Sequence, residues 1–381
     1  MSHTKKVFLL VLATTIAIFM YTFSASAHEH VEFIPVTSIW ASDEIQQALE
    51  LGIVPVDYLP NDYRTPISRA QFRCIAMNYI ALQENCGLEV FKDLVGMYKA
   101  EKDTDGEIKV VFSDGSQDDS LAYYLNLVEG RGDGRFDPDG NISRQEAAVM
   151  LTRAYQVYGG NAGIEHEDLK YIDSCKIAPW ARESVSVLTA WNIMNGLDDN
   201  TFSPNGQYSI EQCIVTFLRL YERAPVSLRN ENIVPMFSYA QCMDYLKSIT
   251  TEASSANAGD AIITEIVDGP IATYVRLDVS GVMLGTATMY FIYKDGGIKP
   301  VDLGICSYPT PQNTIYSSLQ TVDSHFSENG NTFCCYAILP QDSIYTSISG
   351  EERVAHASGE YHVVIDVKRN CLIECKILPA T

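Results

Sequence analysis

The chain has 381 residues and a formal net charge of −21. So acidic a field disfavours nucleic acid and anionic membrane surfaces as partners. The length suits two or three domains.

In chain order, Lys5-Lys6 are followed by an apolar run over 7–23 and then Ala25-Ser26-Ala27. This predicts a secretory signal peptide over 1–27 with a small-x-small cleavage site. An uncleaved membrane anchor is the alternative. Cleavage there leaves His28-Glu29-His30, a tail whose amine, amides and third-residue imidazole suit square-planar copper or nickel.

One short pattern then occurs three times. It reads Ile67-Ser68-Arg69-Ala70-Gln71-Phe72, Ile142-Ser143-Arg144-Gln145-Glu146-Ala147 and Tyr208-Ser209-Ile210-Glu211-Gln212-Cys213. Ser68, Ser143 and Ser209 are placed as helix N-caps, and Gln71, Glu146 and Gln212 three residues later complete capping boxes. Apolar residues follow at helical spacing. Arg69 and Arg144 break the local rule, because a cation at the first helical position opposes the macrodipole. Beside free N–H groups a guanidinium makes an anion site; the alternative is a solvated Arg paired with an acid.

Upstream, Gly130-Arg131-Gly132-Asp133-Gly134-Arg135-Phe136-Asp137-Pro138 shares its Gly, Phe, Pro and Ser spacing with the stretch from Gly196 through Phe202 and Pro204. Gly52 begins a more divergent first copy. Trp40-Ala41 and Trp180-Ala181 open further short helices, with Leu121-Ala122-Tyr123-Tyr124 in the corresponding stretch of the second copy. Each copy is therefore helix, turn-rich loop, helix. One such unit cannot bury its own apolar face, so the copies must pack on each other.

These residues resemble the S-layer homology (SLH) domain, whose repeat reads roughly F-x-D, W-A, G-I-I-x-G, D-G-x-F-x-P, T-R-A-E. Phe112-Ser113-Asp114 and Tyr171-Ile172-Asp173 match the opening. The resemblance covers about 33–222 and implies a three-lobed, pseudo-threefold helical assembly. It implies non-covalent binding of a secondary cell-wall polysaccharide, typically through a pyruvylated sugar, in grooves between lobes. It implies Arg144 first and Arg69 second as ligand contacts, with Gly130, Gly196, Trp40 and Trp180 beside them. Ile210 replaces the third Arg, which predicts a weak or dead groove there. The first copy lacks the opening Asp, having Phe33-Ile34-Pro35.

The expected organisation is signal 1–27, repeats at 28–83, 112–160 and 161–224, an insertion or linker at 84–111, a linker at 225–235 and a β-rich domain at 236–381. The insertion carries a helix near 91–100. A helix near 239–248 precedes strands at 262–267, 271–279, 288–293 and 332–338. A hairpin over 361–377 turns at Lys368-Arg369-Asn370 and points Cys371, Ile373, Cys375 and Ile377 to one inward face. Asp295-Gly296-Gly297 is another turn. The fold class is α+β, an α-helical repeat unit followed by a mostly antiparallel β domain. Ten cysteines invite a disulfide framework. Cys371 and Cys375, however, lie about 13 Å apart on a strand, beyond the roughly 7 Å a bridge spans. Most of the thiols read as small buried hydrophobes.

Little chemistry appears. A calcium loop counted from Glu101 has Phe112 where a bidentate Glu is needed. The sequence shows no nucleophile–base motif, metal spacing or cofactor signature. The leading reading is a secreted wall-binding module displaying a β domain with an unknown partner. The alternatives are a wall-associated glycan or peptide hydrolase with its active site in the β half, and a structural S-layer subunit.

Overall fold

The computed structural model describes residues 35–157, 169–197, 200–223, 235–255, 261–279, 286–301, 303, 320–340, 342–346 and 352–379. The signal segment, the His28-Glu29-His30 tail and nearly all of the expected linker at 225–235 lie outside them.

Three helix pairs make up the first half: α1 (Ser42–Glu50) with α2 (Arg69–Gln83), α4 (Gln117–Tyr124) with α5 (Arg144–Val157), and α6 (Arg182–Ala190) with α7 (Ile210–Arg223). The first helix of each pair ends on a left-handed residue, Gly52, Asn126 or Asn192, with φ of 71°, 57° and 57°. The next amide (Ile53, Leu127 or Ile193) then bonds back to Ala48, Ala122 or Leu188. This closure satisfies carbonyls that the helix end leaves free, and only Gly and Asn tolerate it cheaply.

The same bonds align the repeats. Ala41 and Ala181, seven residues before Ala48 and Leu188, are fully buried, while Trp40 and Trp180 stand exposed. In the second repeat that slot falls on Asp114-Gly115. Leu121-Ala122-Tyr123-Tyr124 lies inside α4, which starts instead from a capping box of Ser116 and Asp119.

The three second helices meet end to end around a pseudo-threefold axis. Ile67 N donates to Tyr208 O (2.8 Å), Tyr208 N to Ile142 O (3.2 Å) and Ile142 N to Ile67 O (3.2 Å), a closed ring. One layer out, Arg69 N bonds Gly140 O, Arg144 N bonds Gly206 O, and Ile210 N bonds Thr65 O. Ala70 N, Gln145 N and Glu211 N likewise bond the carbonyls of Pro138, Pro204 and Tyr63. The third amide of each helix goes to the capping serine: Gln71 N to Ser68 Oγ, Glu146 N to Ser143 Oγ, Gln212 N to Ser209 Oγ. The first-turn amides, expected as free anion donors, are thus fully engaged.

The stretch at 84–111, expected as an insertion or linker, is a structural joint. Its helix α3 (Leu88–Tyr98) buries Val90, Phe91, Leu94 and Val95. Phe91 meets Phe237 edge-on at 6.1 Å. Tyr245 of α8 (Tyr239–Ser255) donates to Asp93 Oδ2 at 2.8 Å.

Among the described residues ten strands follow: β1 (Ala261–Asp268), β2 (Ala272–Val279), β3 (Thr286–Tyr293), β4 (Ile298–Pro300), β5 (Gln320–Phe326), β6 (Thr332–Leu339), β7 (Ser343–Thr346), β8 (Glu352–His356), β9 (Gly359–Asp366) and β10 (Cys371–Ile377). Two four-stranded antiparallel sheets form, ordered β1-β2-β3-β4 and β10-β9-β6-β5, with β7 and β8 as a separate pair. Tyr274, Phe291, Phe333, Val363 and Ile365 fill the space between the two large sheets. The other face of the first sheet (Val275, Leu277, Ile292, Ile298) joins the core of the helical half. That explains why β2 is buried on both faces from 272 to 277.

The last hairpin departs from strict alternation. A bulge between Leu372 and Glu374 shifts the register against β9, so the side chains change faces. Leu372 and Cys375 pack inward, whereas Cys371, Ile373 and Ile377 are exposed. Nine described cysteines are all free thiols.

Gly297, with φ of 96°, seats the β3–β4 turn against the end of α2, where a Cβ would lie 2.1 Å from Glu84 O. Gly297→Ala should therefore lower the unfolding free energy by about 2–4 kcal/mol. Denaturant midpoints of the two proteins measure this, and an unchanged midpoint rejects the joint as a rigid contact.

Candidate functional site

The three junctions between repeats are built alike but differ in what fills them. At the first junction Arg69 reaches under the loop of the second repeat. Its Nε donates to Phe136 O (2.8 Å) and Nη2 to Glu129 O (2.7 Å), and the guanidinium lies 4.8 Å over the Phe136 ring. Arg144 does the same one repeat later, donating to Phe202 O and Asn195 O (2.8 Å each) and lying 5.1 Å over the Phe202 ring. Both arginines are buried. At the third junction Ile210 fills the slot, fully buried.

The arginines therefore serve first as staples between repeats. Their placement at the first helical position is compensated by carbonyls of the next repeat, about 60 residues away in sequence. Burial pulls both guanidinium pKa values down, and Arg131 adds to this for Arg69.

The loops that receive them are held by carboxylates. Asp114 accepts from Phe136 N (2.7 Å) and Asp137 N (3.0 Å). Asp173 accepts from Phe202 N (2.8 Å) and Ser203 N (2.9 Å). In the first repeat, which lacks this Asp, Val36 pairs with the loop through its backbone, to Asn61 O and from Tyr63 N. Gly130 and Gly196 make close approach possible. A Cβ on Gly130 would meet Arg135 O at 2.8 Å and Phe112 at 2.9 Å; on Gly196 it would meet Tyr171 at 2.6 Å. They lie next to the carbonyls that accept from the two arginines. Trp40 and Trp180 are 54% and 57% exposed, and among the described contacts neither indole touches a guanidinium.

The capping serines and their partners close the sites from below. Ser68 N donates to Gln71 Oε1 and Ser209 N to Gln212 Oε1. Glu146 Oε2 accepts from both Ser143 N and Ser143 Oγ. The charge in the second repeat draws in a residue that sequence reasoning passed over. Arg131, in the glycine-rich loop, donates through Nη1 to Glu146 Oε1 and through Nε to Asp137 Oδ2. Arg69 Nη1 lies 3.8 Å from the same Glu146 oxygen. Burial opposes ionisation of Glu146, yet the Ser143 donors and Arg131 outweigh it and hold its carboxyl below the usual range.

The junctions thus differ in charge. The first has two guanidiniums facing Glu146 and Asp137. The second has Arg144, with no carboxylate in ion-pair contact among the described residues. The third has no guanidinium in the slot; Glu211 is tied to Ser38 N and Oγ (2.9 Å each), and the Arg64–Asp62 pair lies in the adjoining loop.

Residues 120–148 and 173–207 match the S-layer homology domain. The chain is 26% identical over 174 residues to an endoglucanase of Bacillus sp. (strain KSM-635), covering 45% of this chain and 16% of that protein. It is 29% identical over 136 residues to the middle cell wall protein of Brevibacillus brevis, 36% of this chain and 13% of that protein. It is 23% identical over 215 residues to the surface-layer 125 kDa protein of Lysinibacillus sphaericus, 55% and 16%. The chain therefore aligns with less than a fifth of each relative's length. The matched residues fall in the second and third repeats, the fold is α+β, and no described helix is long and apolar enough to cross a membrane.

Asp173→Ala removes the acceptor of two loop amides and should cost about 2–3 kcal/mol. Amide exchange at Phe202 and Ser203 should accelerate with it. Unaltered protection of those two amides contradicts the clamp.

Proposed function

We propose that this chain is a secreted, non-covalently held protein of the bacterial cell surface. Its S-layer homology repeats grip an acidic secondary cell-wall polysaccharide, a pyruvylated one, and hold the β half outward for a separate role. The supporting observation is Arg144. Among the described residues no carboxylate comes into ion-pair contact with this buried guanidinium, which is costly, and two of its three nitrogens already serve carbonyls. A carboxylate on a sugar supplies the missing charge, and a pyruvate ketal carries one. The loop carbonyls and the Phe202 ring fix the guanidinium plane, so an arriving carboxylate meets a preorganised donor. Gly196 lets Tyr171 pack close to the loop that presents the Asn195 carbonyl, and the exposed indoles of Trp40 and Trp180 offer apolar faces on which a hexose can rest.

Two of the relatives, a middle cell wall protein and a surface-layer protein, agree with this setting. The endoglucanase relative speaks only for that protein, and its shared part is 16% of its length.

Sedimentation of the purified chain with wall sacculi, before and after acid removal of pyruvate, tests the proposal. Binding should fall at least tenfold once pyruvate is removed. Arg144→Lys keeps the charge and loses the fork, so it should bind several-fold more weakly. Binding indifferent to pyruvate overturns the reading whether or not any Arg144 variant folds.

A further inference from the structure

At the first junction Glu146 occupies the place that an external carboxylate would take. One of its oxygens is bonded by Arg131 Nη1 and lies 3.8 Å from Arg69 Nη1. The Arg131 and Glu146 side chains are 32% and 22% exposed, so the cluster opens to solvent above the buried Arg69. The corresponding positions in the third repeat are Leu197 and Gln212, and the first repeat has Gln71. The acidic capping residue therefore occurs in the repeat that carries Arg131, whereas Arg64 in the loop of the first repeat pairs with Asp62 and not with the Gln71 cap. The cap itself does not require the charge, because Gln71 and Gln212 receive the same serine amide bond.

We propose that Arg131 and Arg69 form a second carboxylate-binding site, specific to this junction, whose resident occupant is Glu146. Arg131 supplies the accessible donors and Arg69 adds charge from beneath. An acidic sugar enters only by displacing the Glu146 carboxylate, which is tethered at very high effective concentration. The site is therefore silent in the resting chain and the second junction carries the binding. This rests on the reading above that the repeats bind an acidic glycan, and it adds that the number of working junctions is set by the internal carboxylate on Arg131 Nη1, while Asp137 holds the Nε edge. Substituting the amide found in the other two repeats removes the competitor and keeps the cap.

The test is calorimetric titration of the full chain with a methyl hexoside bearing a pyruvate ketal. Wild type, Glu146→Gln and the double variant Glu146→Gln with Arg131→Leu are compared at low salt. Glu146→Gln should bind one more equivalent of probe than wild type, and the double variant should lose that equivalent. Thermal unfolding of each variant reports whether the cap survives. Equal stoichiometry in wild type and Glu146→Gln, or an extra site that persists without Arg131, overturns the inference while leaving the anchoring reading intact. Absence of probe binding in all three overturns both.

Discussion

Three backbone hydrogen bonds, among Ile67, Ile142 and Tyr208, close a ring at the centre of the helical half. Everything around them follows from that closure. Each capping serine lies one residue beyond a ring residue, so the three second helices must point their N-termini at one axis. Their first-turn amides then face carbonyls of the neighbouring repeat, which satisfies donors a helix start leaves open. A repeat array normally stacks in a line with exposed ends. Closing three copies on themselves removes the ends and creates three equivalent junctions. At those junctions side chains from two repeats converge on one loop, and there the arginines sit.

Local grammar was legible in the sequence because its partners are close in the chain. The boxes from Ser68 to Gln71, Ser143 to Glu146 and Ser209 to Gln212 need only three-residue spacing. Their helices follow, and so do most of the strands with strong β composition. What local rules leave open is where a group finds a distant partner. Arg69 looked like a cation placed against a helix dipole, yet its acceptors are the carbonyls of Phe136 and Glu129. Arg131 looked like one charge among several in a turn, and only the fold brings it to Glu146. The start of α4 escaped because Asp119 closes the box in place of Glu or Gln. The inward face expected for Cys371, Ile373, Cys375 and Ile377 failed at the bulge after Leu372, which no periodicity announces. The short β4 and the polar β5 lacked an apolar alternation to read.

The two halves share more than a linker. α3 lies between repeats in sequence but meets the second half, through Phe91 on Phe237 just before α8 and Asp93 on Tyr245 within it. The first sheet turns one face to this helical layer and the other to the second sheet. The result is a layered arrangement in which a ligand held at the junctions would fix the orientation of the β half. Such a coupling suits a surface protein, whose outward domain has to present a defined face. The free and mostly buried cysteines are compatible with this arrangement, because the hydrophobic cores and the ring supply the cross-links that a disulfide framework otherwise would.

The ring is the claim on which the rest stands, and native-state amide exchange reads it directly. If Ile67, Ile142 and Tyr208 close a single cooperative unit, their three amides exchange with the same opening free energy, equal to that of global unfolding. Exchange of any one of them at a markedly lower free energy than the other two would show that the repeats open separately, and would contradict the closed assembly described above.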